Sequence, residues 1–172
     1  YEAEHRAYGI PFPEKRFGLL EEQLEIVTGL WATPVGDTFD FRGEHYALEG
    51  SPAMPKPVQH PVPIIVGGGG PKRTPALAAA FASEFNIGFV DEAGVAAAFD
   101  RVRAAAEAVH REPGDLKLSV AQPTVVGRTE AEFRDRAARI GADPERLRAV
   151  DLGGTPDEVR ARLRRYAELG AD

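Results

Sequence analysis

The chain has 172 residues, 43% hydrophobic and 28% charged, with a formal net charge of −6. This is the composition of a globular domain without the basic surface that a nucleic-acid binder needs. With no cysteine, disulfides, thiolate metal sites and a cysteine nucleophile are excluded, and a cytoplasmic location is expected. No apolar run reaches the roughly 18–20 residues that cross a bilayer, so no membrane partner is expected.

Residues 1–14 are polar and end in Gly9-Ile10-Pro11-Phe12-Pro13, which reads as a loop because both prolines force extended backbone. From Lys15 to Trp31 the apolar residues Phe17, Leu20, Leu24, Val27 and Leu30 recur at helical spacing, with Glu21, Glu22 and Glu25 on the wet side. Thr33-Pro34 stops that helix. Phe39 and Phe41, then Tyr46 and Leu48, alternate with polar residues around Gly43, the pattern of a small β-hairpin over residues 38–48. A connector with Pro52, Pro55, Pro57, Pro61 and Pro63 suits neither a helix nor a central strand.

Val62-Pro63-Ile64-Ile65-Val66 is a buried strand that runs into Gly67-Gly68-Gly69-Gly70. A helix is predicted from about Thr74 to Ser83, with Thr74 as N-cap, Pro75 at the first helical position and Ala78, Ala79, Ala80 and Ala82 against a neighbour. Residues 85–90 read as a strand. Asp91 can cap the next helix, whose face is Val95, Phe99, Val102, Ala106 and Val109. Residues 116–121, continued by 124–126, read as a third main strand. Thr129-x-x-Glu132 and Thr155-x-x-Glu158 are capping boxes, and Asp143-Pro144 opens a short helix between them. The last helix has the face Val159, Leu163, Tyr166 and Leu169. Strand and helix thus alternate as in a parallel sheet with helical crossovers, an α/β fold.

The four glycines bring bare backbone N–H groups to a helix start, which suits an anion, phosphate above all; a plain strand-to-helix turn is the simpler role for the same residues. Gly70 is followed by Pro71 and not by Lys-Ser/Thr, so no Walker A loop is present. The G-x-G-x-x-G fingerprint fails too, with Lys72 or Arg73 at its last position. Asp91 stands where a ribose-binding acid would lie, although a helix cap is its plainer role. Lys72 and Arg73 could meet a phosphate or stay solvated. None of His5, His45, His60 and His110 is paired at metal spacing, so no metal site is expected. His5 beside Glu4 is the one pairing that an active site could use.

Taken together, Glu2 to Pro13, the helix Arg16-Phe17…Leu30-Trp31, the stretch Pro55-Lys56-Pro57…Gly70-Pro71-Lys72-Arg73-Thr74 and the segment Thr155-Pro156-Asp157-Glu158…Asp172 resemble the bacterial luciferase-like superfamily, most narrowly its coenzyme F420-dependent oxidoreductases. The resemblance implies a single incomplete domain over residues 1–172, the C-terminal half of a (β/α)8 TIM barrel. Residues 62–66, 85–90 and 116–121 would be its fifth to seventh strands, and residues 34–60 an insertion. Tyr1 as first residue and Leu169-Gly170-Ala171-Asp172 as last fit a chain truncated at both ends. The resemblance also implies that Gly67, Gly68, Gly69 and Gly70 meet the cofactor's phosphate. Glu4 and His5, in the tail of a cofactor loop, and Asp91, in the loop after the sixth strand, would add contacts. Catalytic groups are expected in the missing N-terminal half. The intact protein would move a hydride between F420 and a small organic substrate, with room for a homodimer. An FMN-dependent monooxygenase of the same superfamily is the alternative, and a non-catalytic phosphate-ligand binding module a further one.

Overall fold

A computed structural model describes residues 2–13 and 15–172; Tyr1, the start of the expected cofactor-loop tail, lies outside them. The chain forms two compact units, Tyr1–Val62 and Pro63–Asp172.

The first unit begins with a helix, α1 (Glu2–Ala7), where the sequence reads as loop. Its charges explain the difference: Glu2 and Glu4 stand at the positive end, His5 and Arg6 at the negative end, and Glu2 pairs with Arg6 at 3.4 Å. The long helix α2 (Arg16–Ala32) forms as expected and gives way to Thr33-Pro34. Its predicted face is not its buried face, because Ile26 is buried while Phe17 and Leu20 are exposed. The hairpin β1 (Phe39–Arg42) and β2 (Ala47–Ser51) is antiparallel, with an irregular register between Phe39 and Phe41.

Close approach, rather than a wide apolar stripe, sets how α2 meets the hairpin. A Cβ at Gly29 would lie 2.3 Å from the Phe39 ring, and one at Gly18 2.8 Å from His45 Nε2. Glu22, expected on the wet side, turns to the hairpin and accepts the N–H groups of Glu44 (2.7 Å), His45 (3.0 Å) and Tyr46 (2.9 Å). The proline-rich connector stays irregular, and its Lys56 donates to the Leu30 carbonyl at 2.7 Å, near the negative end of α2.

The second unit is built on a parallel sheet, β3 (Ile65–Gly67), β4 (Glu84–Gly88) and β5 (Lys117–Ala121), in that spatial order. Helices α3 (Arg73–Phe81) and α4 (Glu92–Ala108) cross between the strands and cover one face. Side chains alternate along a strand, so Val66, Phe85, Ile87 and Leu118 enter the core together. Leu77, Ala78 and Ala79 of α3 and Val95, Phe99 and Val102 of α4 are buried as well. Ala80, placed with the other alanines by composition, is exposed. Phe85 and Phe99 pack edge to face at 6.4 Å between centroids. Val109 is the C-cap of α4 and is exposed, because the helix ends one residue before it.

The predicted third strand divides. Gln122-Pro123 breaks it, and β6 (Thr124–Val126) leaves the first sheet to pair with β7 (Leu152–Gly154). Helices α5 (Glu130–Arg139), α6 (Pro144–Ala149) and α7 (Pro156–Glu168) surround this pair. Val125, Phe133, Ala137 and Leu147 form its core. Thr129 and Asp143 cap α5 and α6, and Thr155 with Glu158 makes the reciprocal capping box of α7. On α7, Val159 and Tyr166 are buried but Leu163 is exposed. Among the described residues the strands close no barrel; the three-stranded sheet with its crossovers is a segment of the (β/α)8 architecture.

Candidate functional site

In a helix-covered parallel sheet, ligands bind beyond the carboxyl ends of the strands. At that end of β3 lies the glycine loop. Gly67 belongs to β3 and pairs with Asn86. Gly68 turns the chain away with φ of +133°, a conformation costly for a residue with a Cβ, and its N–H donates to the Asn86 carbonyl at 3.3 Å. The loop is thereby tied to β4, and the Gly68 N–H faces the protein. Among the described residues the N–H groups of Gly69 and Gly70 meet no backbone carbonyl.

The helix that follows starts at Arg73, two residues before the expected first helical position at Pro75, with Lys72 in place of Thr74 as N-cap and no side-chain cap. Thr74 is inside the first turn and buried, at 5% exposure. It stands behind the loop: a Cβ at Gly70 would come within 2.7 Å of its Oγ1, so glycine is required there by packing. At Gly69 a Cβ would touch only Ile87 Cδ1, at 3.9 Å, an ordinary contact. Packing within this chain does not demand glycine at 69. Space kept free of a side chain beside unbonded N–H groups and the first turn of α3 fits the phosphate of a cofactor.

The face of the sheet opposite the helices carries a polar ladder beside the exposed Ile65. Gly67, Asn86 and Ser119 form one row by register, with Glu84 in the row below. Asn86 Nδ2 donates to Ser119 Oγ at 2.8 Å, and Ser119 donates to Glu84. Buried parallel strands usually carry apolar residues on both faces, so this ladder marks the face for another use. Sequence reading missed it; the only signal was that Glu84, Asn86 and Ser119 alternate with buried residues.

Gln122 is a second omission. Its Oε1 accepts the Phe89 N–H at 3.0 Å, and its Nε2 donates to the carbonyls of Val90 and Val150 (3.3 Å to the latter) and reaches the Tyr166 hydroxyl at 3.3 Å. It fastens the segment after β4. Asp91, next in that segment, accepts the Gly94 N–H at 2.8 Å and caps α4. In the first unit, Glu4 is exposed, while His5 Nδ1 donates to the Pro11 carbonyl at 3.1 Å and the ring packs edge to face on Phe12. These bonds serve the local turn.

A cavity of about 470 Å³ lies elsewhere, lined by Val102, Ala106, His110, Leu116 and Leu118. It lies by the amino end of β5, the end opposite to the glycine loop. Among the described residues no cluster of His, Asp and Glu has the makings of a metal site, and no helix is long and apolar enough to cross a membrane.

The parallel sheet with its helical crossovers and the glycine turn at its carboxyl end define a segment of an α/β barrel. The profile of the luciferase-like monooxygenase family matches residues 1–149, and the chain belongs to that family. It is 30% identical over 149 residues to an FMNH2-dependent dimethylsulfone monooxygenase of Pseudomonas putida, across 84% of this chain and 39% of that protein. Its fold is similar to that of coenzyme F420-dependent tetrahydromethanopterin reductase from Methanopyrus kandleri (TM-score 0.76, 15% identity, 99% of this chain and 64% of that one). It is also similar to that of the monooxygenase RslO1 from Streptomyces bottropensis (TM-score 0.73, 23% identity, 99% and 56%). The chain therefore spans well under half of the Pseudomonas relative and about two thirds of the Methanopyrus enzyme.

Proposed function

We propose that this chain is the phosphate-holding part of a longer luciferase-like oxidoreductase that acts on a small organic substrate with reduced FMN. The observation that carries the reading is the Gly67–Gly70 turn, with the Gly69 and Gly70 N–H groups unbonded among the described residues and a side-chain-free space at Gly69. The residues of this chain would bind and orient: the loop and the first turn of α3 receive the phosphate, and the polar row Gly67-Asn86-Ser119 faces the bound molecule. When bound, reduced flavin supplies the electrons for oxygen chemistry. The kinship with the Pseudomonas enzyme, whose name states FMNH2 dependence, supports flavin ahead of the F420 suggested by the sequence motifs.

Coenzyme F420 is the second reading. It also carries a phosphate, and two of the similar folds belong to F420-dependent enzymes. The test is titration of the protein expressed from the full reading frame with FMN, anaerobically reduced FMN and F420, followed by fluorescence. Saturable binding of FMN in either redox state is expected. Binding of F420 alone would reverse the order, and binding of none would remove both readings. Catalytic groups are assigned to the part of the barrel outside this chain. Residues 1–172 on their own are therefore expected to show no turnover, and turnover equal to that of the full reading frame would refute the assignment.

A further inference from the structure

Phe89 is the first residue after β4, at the carboxyl end of the sheet, and its backbone has φ of +62°. For a bulky residue this is a strained conformation, which glycine would adopt freely. The strain is actively held. The Phe89 N–H donates to the Ala121 carbonyl at 3.2 Å and to Gln122 Oε1 at 3.0 Å, while the Gln122 amide nitrogen grips the Val90 carbonyl next to it. Nothing inside the unit rewards the side chain for this, because the ring is 70% exposed whereas Phe85, Phe99 and Phe133 are fully buried. A single exposed apolar residue is ordinary. An exposed aromatic ring on a strained backbone, held there by a glutamine side chain, is not, and residues of this kind gather at ligand sites.

Its position is also specific. The Asn86 carbonyl holds Gly68, and Phe89 follows three residues later, about 10 Å further along the strand direction at the usual rise. We propose that Phe89 is the ring platform of the site: its side chain lies against the planar ring of the molecule whose phosphate the glycine loop receives. Gln122 is then a positioning residue, holding the backbone that aims the platform. This inference rests on the cofactor reading above and adds to it the residue that would recognise the ring rather than the phosphate. The contact is apolar and flat, so it suits the rings of flavin and deazaflavin alike, and the binding arms separate the two.

The test uses the full-reading-frame protein and the variants Phe89→Gly and Phe89→Tyr. Melting temperature is measured without ligand, and dissociation constants are measured for FMN, F420 and inorganic phosphate. Relief of strain should raise the melting temperature of Phe89→Gly, while loss of the ring contact weakens FMN or F420 about tenfold, as for other aromatic stacking contacts. Inorganic phosphate should bind it as it binds the parent, and Phe89→Tyr should keep the parent affinity. Stability and affinity moving in opposite directions is the signature that a merely structural phenylalanine would not give. Ring affinity within twofold of the parent, a lower melting temperature, or loss of phosphate binding in Phe89→Gly would each overturn the proposal. Failure of the parent itself to bind FMN or F420 would instead overturn the cofactor reading on which it stands, before any variant is compared.

Discussion

The two units of this chain are held together by different physics. The second, Pro63–Asp172, has an apolar core in which Phe85, Phe99, Phe133, Val95 and Val102 are fully buried. In the first, the buried apolar residues among those described are Ile26 and Ala53, and the hairpin is fastened to α2 chiefly by one carboxylate and by close approach at glycines. Apolar burial is indifferent to pH. A carboxylate that accepts several N–H groups is not. The same chain thus joins a unit with an extensive apolar core, in which Glu130, Glu132 and Glu158 are also held below the ordinary carboxylate range by hydrogen bonds and arginines, to one whose geometry depends chiefly on a single carboxylate.

The largest expected effect is in the apolar unit. Phe99→Ala should cost about 3–5 kcal/mol, the usual range for emptying a buried phenylalanine site, read as a shift in the denaturation midpoint. In the first unit, Gly29→Val should cost about 1–3 kcal/mol, because the new Cβ would meet the Phe39 ring, which must move away from α2. A loss as large as that of Phe99→Ala would mean that the two units do not differ as described.

A smaller effect has a pH signature. Partial desolvation raises the Glu22 pKa, but the N–H groups of His45, Tyr46 and Glu44 outweigh it and hold the carboxyl below its ordinary value. A lowered pKa in the folded state stabilises fully above the unfolded value, about 4.3, and that contribution disappears as pH falls through the folded value. Protection of the amides of residues 44–46, taken relative to their intrinsic exchange rates, should therefore fall on acidification below about pH 4 in the parent and much less in Glu22→Gln. Smallest of all is Gly69→Ala, expected to change stability by less than about 0.5 kcal/mol since its Cβ makes only an ordinary contact.

Much of the second unit was readable because its signals are local. The Asp91, Thr129, Asp143 and Thr155 caps and the glycine turn each fall within a few residues, and each forms, whereas the buried strand expected over 62–66 shortens to Ile65–Gly67 with only Val66 buried, and that over 85–90 ends at Gly88. The misses come from signals that are not local. Leu152–Gly154 has two glycines in three residues and no strand propensity, yet it pairs with β6 because only glycine lets Leu147 pass: a Cβ at Gly153 would lie 2.6 Å from the Leu147 Cβ. Glu22 looks solvated by helical periodicity, and its partners lie more than twenty residues away. The Glu84–Ser119–Asn86 ladder likewise joins residues about thirty-five apart. Of the candidate site, Gly67 to Gly70 were legible as a glycine turn between a strand and a helix. Sequence could not show that the Gly68 N–H is directed to Asn86, nor that Gln122 holds Phe89.

The most direct test of the central claim compares FMN with riboflavin, which has the same ring and lacks the phosphate, on the full-reading-frame protein and on its Gly69→Ala variant. If the glycine loop receives the phosphate, the parent binds FMN more tightly than riboflavin, and the added Cβ at position 69 narrows that difference without lowering the melting temperature. Equal affinity of the parent for FMN and riboflavin, or a preference that Gly69→Ala leaves intact, would contradict it.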